Sequence, residues 1–353
     1  MSVRSESESI PAQELRILLS RVTVFMPVHN GSRYLRSAVD SILGQSFADL
    51  ELLIIDDAST DETSQILDSI SDPRMRIVRN EINLGVPLTR NLGLDLAADE
   101  FIAFLDSDDV ARRDRLQRQV DFLENNSDHV AVGSWATKID DEGNRGSVLR
   151  RPVTWDRIRA RTLFLGTIRT PSVMGRVDVL RKFRFLPEFP VCSDSDFWVR
   201  VALEHKCANL VEPLIDYRIH SNSITKSRKA EVRERKMSIA AYQLESLHVT
   251  YDERDLLNHF RLRKPKNHEF DADAIAWTRD WLQQLVAANQ KHSVYPKAEF
   301  ERAVGERWCA VYFACRHQQS SPIDLFDMPI RNSTLRYLAK AIPLGLRYGF
   351  GVA

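Results

Sequence analysis

Three carboxylates follow a short apolar run in the segment "FIAFLDSDD". Asp106, Asp108 and Asp109 stand directly after residues 101–105. Three acids this close repel one another unless positive charge lies between them. Carboxylate oxygens at a strand end are ligands that Mg²⁺ and Mn²⁺ prefer, often together with the phosphates of a bound nucleotide. The segment therefore predicts a divalent metal site. Three arginines that follow could neutralise the acids instead: Arg112, Arg113 and Arg115.

Two earlier apolar runs also end in polar side chains. "VTVFMPV" is followed by His29 and Asn30, and "LELLIID" is followed by Asp57. A carboxylate at such a strand end can accept two hydrogen bonds from ribose hydroxyls or from a base N–H. Turn or helix-cap chemistry alone would also explain Asp57 and Asn30, and His29 taken alone is more often a packed or solvent-facing imidazole.

Polar residues later in the chain add weaker signals. "SDSDFWVR" places Asp194 and Asp196 at a helix start, where capping is the simpler explanation. "YRIHSNSIT" contains His220 at a strand exit, where an ordinary surface histidine is the alternative. Neither Gly-rich phosphate-binding motif occurs in the sequence, so a metal becomes the expected means of neutralising a diphosphate.

The elements around these residues alternate between short strand-like runs and amphipathic helices, which is typical of β-α-β units with a mainly parallel sheet. In such a sheet the carboxyl ends of the strands lie at one edge, where ligands bind. The polar segments after residues 28, 56 and 105 should therefore meet. Regular patterning weakens between residues 149 and 190, and residues 208–220 are typical of an edge strand and its exit. A first domain is predicted over residues 21–226, after an N-terminal tail over residues 1–20.

The remaining residues, 227–353, show three helical patterns and no strand of comparable strength, which predicts a helical domain or a helical layer on the first domain. This region could select the acceptor, form a homodimer or touch a membrane. Its last segment, residues 335–353, is apolar with scattered basic residues; docking onto the protein is the commoner outcome for such a helix, and a membrane-surface position is the alternative.

Composition limits the partners and the location. Lys plus Arg equals Asp plus Glu at 49 each, so no overall field favours nucleic acid. The four cysteines form no close-spaced pair, which is typical of reduced cytosolic thiols. No segment has the pattern of a signal peptide or the apolar length of a membrane span. We expect a cytoplasmic protein, with peripheral contact at the inner face of the cell membrane as the alternative.

The motifs together resemble the family-2 glycosyltransferases of the GT-A fold. The resemblance covers residues 21–225 through "VTVFMPVHNGSRYLRSAVDSILGQSFADLELLIIDDASTDET", "NLGVPLTRNLGLDLAADEFIAFLDSDD", "SDSDFWVR" and "YRIHSNSIT". It implies an α/β GT-A domain that transfers a sugar, with inversion, from a nucleotide-diphosphate donor, UDP by default. Mn²⁺ or Mg²⁺ is the implied cofactor. The implied acceptor is a glycan or lipid-linked saccharide in polysaccharide biosynthesis at the cell envelope.

The resemblance also implies roles for individual residues. Asp106 and Asp108 match the D-x-D element, with Asp106 at ribose or metal and Asp108 at the metal. Asp194 matches the catalytic base, and Asp196 is the competing candidate. His220 matches a histidine that approaches the metal or the diphosphate, with Arg218 nearby. The implied nucleotide-binding positions are Pro27, Val28, His29, Asn30, Asp57, Asn83, Gly85, Arg90, Asn91, Asp106 and Ser107.

The sequence departs from the family pattern at Ser193, which stands where the family has Glu before its base. This substitution keeps open a catalytically inactive member that binds only nucleotide or glycan. A phosphatase or phosphotransferase of the haloacid-dehalogenase type is a further alternative, with Asp106 as nucleophile and Asp108 as acid. That motif requires Thr where this chain has Val110.

Overall fold

The computed structural model describes residues 20–220 and 228–318, which form two compact units. The first unit contains the described residues up to 150 together with residues 169–197 and 205–220. The second contains residues 151–168, 198–204 and 228–318. The predicted domain boundary at residue 226 and the apolar segment 335–353 lie outside the described residues, and both stay predictions.

The first unit is built on a nine-stranded sheet in which β1 to β4 are parallel to one another. The strands are β1 (Val22–Val28), β2 (Leu50–Asp56), β3 (Met75–Arg79), β4 (Phe101–Phe104), β5 (Val110–Ala111), β6 (His129–Ile139), β7 (Arg145–Leu149), β8 (Met174–Arg176) and β9 (Lys206–Arg218). Their order is β3-β2-β1-β4-β8-β6-β9-β5, and β7 pairs with β6. The predicted α/β architecture is confirmed.

Helices alternate with these strands along the chain. They are α1 (Ser32–Leu43), α2 (Thr63–Asp68), α3 (Val86–Leu96), α4 (Arg115–Asn125), α5 (Trp155–Arg161), α6 (Val177–Phe183) and α7 (Ser193–Glu204). On α1 the buried residues are Leu35, Ala38, Val39 and Ile42, a spacing that forms one helical face. Residues of β2 are buried throughout, as expected for a strand covered on both faces.

The structure corrects two sequence-based expectations. Residues 149–190 are more regular than their pattern indicates, because they contain α5, a 3₁₀ turn (Thr170–Ser172), β8 and α6. The predicted edge strand β9 is second from the end of the sheet, because β5 pairs with it through Val110 and Asp216 while β6 pairs with it in parallel. A two-residue strand such as β5 carries too little pattern to be recognised in a sequence.

The second unit is helical, as predicted. Beside α5 and the end of α7 it contains α8 (Lys229–Ser246), α9 (Glu253–Arg261), α10 (Ala272–His292) and α11 (Lys297–Gln318). Its core includes Trp281 and Trp308, which are almost completely buried. Asp252 caps α9 reciprocally with Asp255. Among the helices of residues 20–220 and 228–318, none has both the length and the apolarity that crossing a membrane would need.

Candidate active site

The ends of β1, β2 and β4 meet at one edge of the sheet. Val28 is in register with Asp56, and Phe25 is in register with Phe104. A Cβ atom on Gly31 would lie 2.6 Å from Val28 Cγ2 and 3.1 Å from Ser107 Oγ, so the segments after β1 and β4 approach closely. The convergence predicted from the strand ends is therefore present.

Asp106, Asp108 and Asp109 form a compact cluster in which one oxygen of each lies within 4.8 Å of the others. The side chains of Asp106 and Asp108 are about one-third exposed, at 34% and 33%, whereas Asp109 is fully buried. His220 Nε2 lies 2.9 Å from Asp108 Oδ2. Carboxylates and one imidazole form a donor set that suits Mn²⁺ or Mg²⁺.

The electrostatics of the cluster favour a bound cation. Burial raises the pKa of Asp106 to about 6, and the charges of Asp108 and Asp194 act in the same direction against Arg90. Burial and the charges of Asp108 and Asp106 also raise the pKa of Asp109. Asp109 Oδ2 is buried and has no hydrogen-bond partner among the described residues. A divalent ion would stabilise the ionised carboxylates that the fold otherwise destabilises.

Arginines hold this loop from two sides. The backbone N–H of Arg218 donates to Asp109 Oδ1 at 2.8 Å, and its Nε donates to the Asp108 carbonyl at 2.9 Å. Arg115 is fully buried and donates through Nη2 to the Phe104 carbonyl at 2.8 Å. Burial lowers the pKa of Arg115 to about 9, although Asp109 opposes that shift.

The two other arginines that follow the acidic cluster in the sequence have different surroundings. Arg112 Nη1 is 3.8 Å from Asp216, and Arg113 is exposed. The charge that meets Asp106 comes from Arg90, whose Nη2 lies 3.5 Å from Asp106 Oδ1. Arg90 is carried by α3 and its guanidinium lies 5.4 Å from the centre of the Phe185 ring. Neutralisation of the three acids by Arg112, Arg113 and Arg115 alone therefore does not account for the cluster.

Asp57 is buried and its carboxylate supports the loop before α3. Oδ1 accepts hydrogen bonds from Asn80 Nδ2 at 2.7 Å and from the Leu84 N–H at 2.9 Å, and Oδ2 accepts from the Gly85 N–H at 2.9 Å. Gly85 has a φ of +81°, a conformation that favours glycine. Asn83 lies exposed on this loop. The contact of Asp57 with a base or ribose stays a prediction.

The segment after β1 is fixed by its own side chains. Asn30 has a φ of +52°, and its Oδ1 accepts a hydrogen bond from the Thr60 N–H at 2.8 Å. His29 Nδ1 lies 2.8 Å from the Asp57 carbonyl. Val28 is buried and Pro27 is partly exposed. These four residues line the same sheet edge as the acidic cluster.

Asp194 and Asp196 begin α7 with different surroundings. Asp194 is partly exposed, its Oδ1 accepts from the Ser195 N–H at 2.8 Å, and its charge contributes to the raised pKa of Asp106. Asp196 is only 7% exposed, and its backbone N–H donates to the Cys192 carbonyl. Cys192 itself has a φ of +62°, an uncommon conformation for a non-glycine residue that turns the chain into α7.

Asn80 and Tyr34 support the site but carry no recognisable signal in the sequence, whereas Asn91 belongs to a segment that resembles the family. Asn80 contacts Asp57, and Asn91 exchanges two hydrogen bonds of 2.7 Å with the backbone of Phe185. The ring of Tyr34 lies 4.2 Å from the Arg218 guanidinium and 5.8 Å from the His220 ring. All of these contacts are long-range, so spacing along the chain could not reveal them.

Comparisons with known proteins agree with this geometry. The model of the family "Glycosyl transferase family 2" matches residues 23–184. An uncharacterised glycosyltransferase of Methanocaldococcus jannaschii is 30% identical over 222 residues, which are 60% of this chain and 76% of that protein. TuaG of Bacillus subtilis, provisionally named a teichuronic acid biosynthesis glycosyltransferase, is 28% identical over 214 residues, covering 59% of this chain and 82% of TuaG.

A solved structure supports the GT-A fold. Residues 1–349 of Staphylococcus aureus TarS, in complex with UDP-GlcNAc, superpose with a TM-score of 0.57 at 18% identity, covering 86% of this chain and 95% of that one. The family match, and the coverage of glycosyltransferase relatives by this chain, exclude the haloacid-dehalogenase alternative. They show that the protein is a transferase. The chain belongs to glycosyl transferase family 2.

Proposed function

We propose that the protein transfers a sugar, with inversion, from a nucleotide-diphosphate donor to a hydroxyl of a glycan or lipid-linked acceptor. The observation that carries this proposal is the compact cluster of Asp106, Asp108 and Asp109 at the edge of the sheet, which suits a divalent ion beside a diphosphate. A single displacement needs positive charge at the leaving diphosphate and a base at the acceptor hydroxyl on the opposite face. UDP is the default nucleotide, in agreement with the UDP-GlcNAc complex of TarS.

Asp108 and Asp106, with Asp109 and His220, would hold Mn²⁺ or Mg²⁺, which would supply charge against the diphosphate when bound. Asp57, Asn83 and Gly85 would shape the nucleotide pocket together with residues 27–30. Arg90 would orient Asp106 through their 3.5 Å contact. Ser107, between two of the acids, would lie beside the nucleotide.

Asp194 would accept the proton of the acceptor hydroxyl. As that oxygen forms its bond to C1 of the sugar, the bond from C1 to the diphosphate oxygen breaks, and its electron pair leaves with the nucleoside diphosphate. An α-linked donor would therefore give a β-linked product. The name of TuaG supports a cell-envelope polysaccharide as the acceptor class.

Metal dependence is the first test. A panel of UDP, GDP and dTDP sugars is incubated with the protein in Mn²⁺ or Mg²⁺, and release of nucleoside diphosphate is measured with and without EDTA. We expect at least one donor to be hydrolysed, and chelation or the Asp108→Asn substitution to reduce the rate by about 10²-fold or more, since one metal contributes several kcal/mol.

Asp128→Asn is the matched control, because Asp128 is an exposed acid paired with Lys206 outside the cluster. Its rate should equal that of the wild type. A rate indifferent to chelation would contradict the metal role of Asp108. Absence of turnover with every donor, combined with retained nucleotide binding, would instead identify an inactive member of the family.

A further inference from the structure

A polar cavity lies beside the acidic cluster within the first unit. Its volume is about 740 Å³. It is bounded by α1, β5, β9 and the turn between β6 and β7. This volume falls in the range of about 300–1,000 Å³ that is typical of small-molecule sites. None of the residues proposed above to bind the nucleotide, the metal or the acceptor proton lines it.

The charged side chains that line the cavity balance one another. The basic ones are Arg33, Arg145 and Arg218, and the acidic ones are Asp141, Glu142 and Asp216. Three charges of each sign leave no net preference for an anion or a cation. The lining thus favours a neutral polar ligand over a nucleic acid, a phosphate or a metal ion.

The cavity also contains an unsatisfied hydrogen-bond acceptor. Asp216 is 4% exposed, and its Oδ2 accepts from Arg145 Nη2 at 2.8 Å. Its Oδ1 is buried and has no hydrogen-bond partner among the described residues. Asp141 is partly exposed, and its carboxylate interacts with Tyr34 and lies 3.8 Å from Arg33 Nη1. A buried carboxylate oxygen without a partner is costly, so Asp216 Oδ1 calls for a donor such as a hydroxyl group.

The aromatic residue of the cavity is already engaged. The guanidinium of Arg33 lies 4.9 Å from the centre of the Tyr34 ring, and that of Arg218 lies 4.2 Å from it. Stacking of a base or an apolar group on Tyr34 is therefore disfavoured. The guanidinium and carboxylate groups of the cavity are planar donors and acceptors, which suit pairs of neighbouring hydroxyl groups.

Arg218 connects this cavity to the acidic cluster. Its Nη1 donates to the carbonyls of Asp140 and Asp141, at 2.6 and 3.2 Å, while its Nε donates to the Asp108 carbonyl. One side chain thus lines the cavity and supports the loop that carries the candidate metal ligands.

We propose that this cavity is a carbohydrate-binding subsite, separate from the donor site, that holds a neutral saccharide portion of the acceptor away from the reacting hydroxyl. The identification of that saccharide as acceptor rests on the proposed function. A hydroxyl group of the saccharide satisfies the free Oδ1 of Asp216, and Arg33 and Arg145 donate to oxygens of the saccharide.

The test blocks the cavity without changing its charges. Ser37 lines the cavity on the exposed face of α1, and its Oγ donates to the Tyr34 carbonyl at 2.7 Å. Ser37→Trp fills the space, whereas Ser37→Ala loses the same hydrogen bond and leaves the cavity open. Arg36→Trp places the same side chain at the neighbouring exposed position, outside the lining.

Binding is measured without nucleotide or metal, on immobilised oligomers of glucose, N-acetylglucosamine, mannose and galactose. We expect the wild type, Ser37→Ala and Arg36→Trp to retain the same oligomers, and Ser37→Trp to bind them at least about tenfold more weakly. Asp141→Asn should weaken binding as well, because an amide replaces one carboxylate acceptor. A thermal midpoint of Ser37→Trp within about 4 °C of the wild type shows that the variant is folded.

Retention of no oligomer by the wild type would overturn the proposal, and so would equal binding by Ser37→Trp and Ser37→Ala. The assay involves no turnover, so its result is independent of donor hydrolysis. Failure of the proposed transfer reaction and failure of this subsite therefore give different results.

Discussion

Asp194 and Asp196 are separated by a single residue, yet the fold gives them different surroundings. The carboxylate of Asp194 is partly exposed and its charge reaches Asp106, whereas Asp196 is almost fully buried at the start of α7. A general base must meet the acceptor hydroxyl, which requires access. The difference in exposure therefore favours Asp194, in line with the family resemblance.

This assignment predicts the behaviour of two matched variants. Asp194→Asn should lower kcat by about 10²–10⁴-fold, the usual contribution of a general base, and leave the Kd of the nucleotide unchanged. Asp196→Asn makes the same chemical change two positions later and should keep most of the activity. Steady-state transfer kinetics and calorimetric titration with UDP measure the two quantities. Loss of kcat in Asp196→Asn alone would transfer the role of base to Asp196.

Residue types at the site were predictable, but their partners were not. The sequence indicates that Asp57 lies at a strand end, and the structure places it directly after β2. Its three hydrogen bonds come from Asn80, Leu84 and Gly85, which lie 23 to 28 residues later in the chain. They form only when the loop before α3 returns to the end of β2. No local pattern encodes such a return of the chain.

At the scale of elements, the packing of α3 on β1 sets the position of Arg90 and Asn91. Gly93 lies where the two elements touch, and a Cβ atom there would come 2.5 Å from the ring of Phe25. Phe25 is completely buried, so its ring has little room to move. The helix can approach the sheet this closely because residue 93 has no side chain.

Gly93→Ala should therefore push α3 away from β1. We expect a loss of about 1–3 kcal/mol in the free energy of unfolding, typical of overpacking, in spite of the higher helix propensity of Ala. Donor hydrolysis should also fall, since Arg90 and Asn91 move with the helix. Urea denaturation and the hydrolysis assay measure the two effects.

Phe25→Leu supplies the control for this prediction. Alone it should destabilise the protein by leaving a cavity, but combined with Gly93→Ala it should recover part of the loss, because the smaller side chain makes room for the methyl group. Strict additivity of the two changes would show that the contact between residue 93 and Phe25 does not limit the packing of α3.

The elements themselves were predicted to different extents for a physical reason. Long periodic segments such as β1, α1, β2 and α3 carry their own patterns, and they occur where the sequence indicates. β5 and β8 are short and exist through pairing with distant strands, as β8 does between β4 and β6. Pairing partners so far apart in the chain leave no trace in a local window.

For the whole molecule, the division into units does not follow the order of the chain. Residues 151–168 and 198–204 belong to the helical unit although they lie within the stretch that resembles the GT-A domain. Trp155, at the start of α5, donates its indole N–H to the Ala202 carbonyl at 2.8 Å within that unit. A boundary placed by composition at one point of the sequence could not reveal this arrangement.

The helical unit contains a group that should govern the stability of the protein in acid. His259 is completely buried on α9, where its Nδ1 accepts from the Trp281 indole N–H at 3.1 Å and its Nε2 lies 3.0 Å from the Leu163 carbonyl. These contacts assign the proton to Nε2 of a neutral ring. Burial lowers the pKa of His259 to about 4, with Arg263 adding to the shift and the Leu163 hydrogen bond opposing it.

The direction of the pH dependence follows from this shift. In the unfolded chain histidine takes up a proton near its ordinary pKa of about 6.5, so between about pH 6.5 and 4 the unfolded state binds more protons than the folded state. The contribution of His259 is therefore fully present above about pH 6.5 and is lost as the pH falls toward 4. Its size is on the order of 3 kcal/mol.

Replacing His259 by Gln keeps a donor and an acceptor but removes the titration. We expect His259→Gln to lower the free energy of unfolding at neutral pH, and to lose less of it than the wild type on acidification. Urea denaturation across the window from about pH 7 to 4 measures the difference. His317→Gln, at an exposed histidine in the last turn of α11, should retain the wild-type slope. Equal slopes for the wild type and His259→Gln would show that another group sets the acid limit of stability.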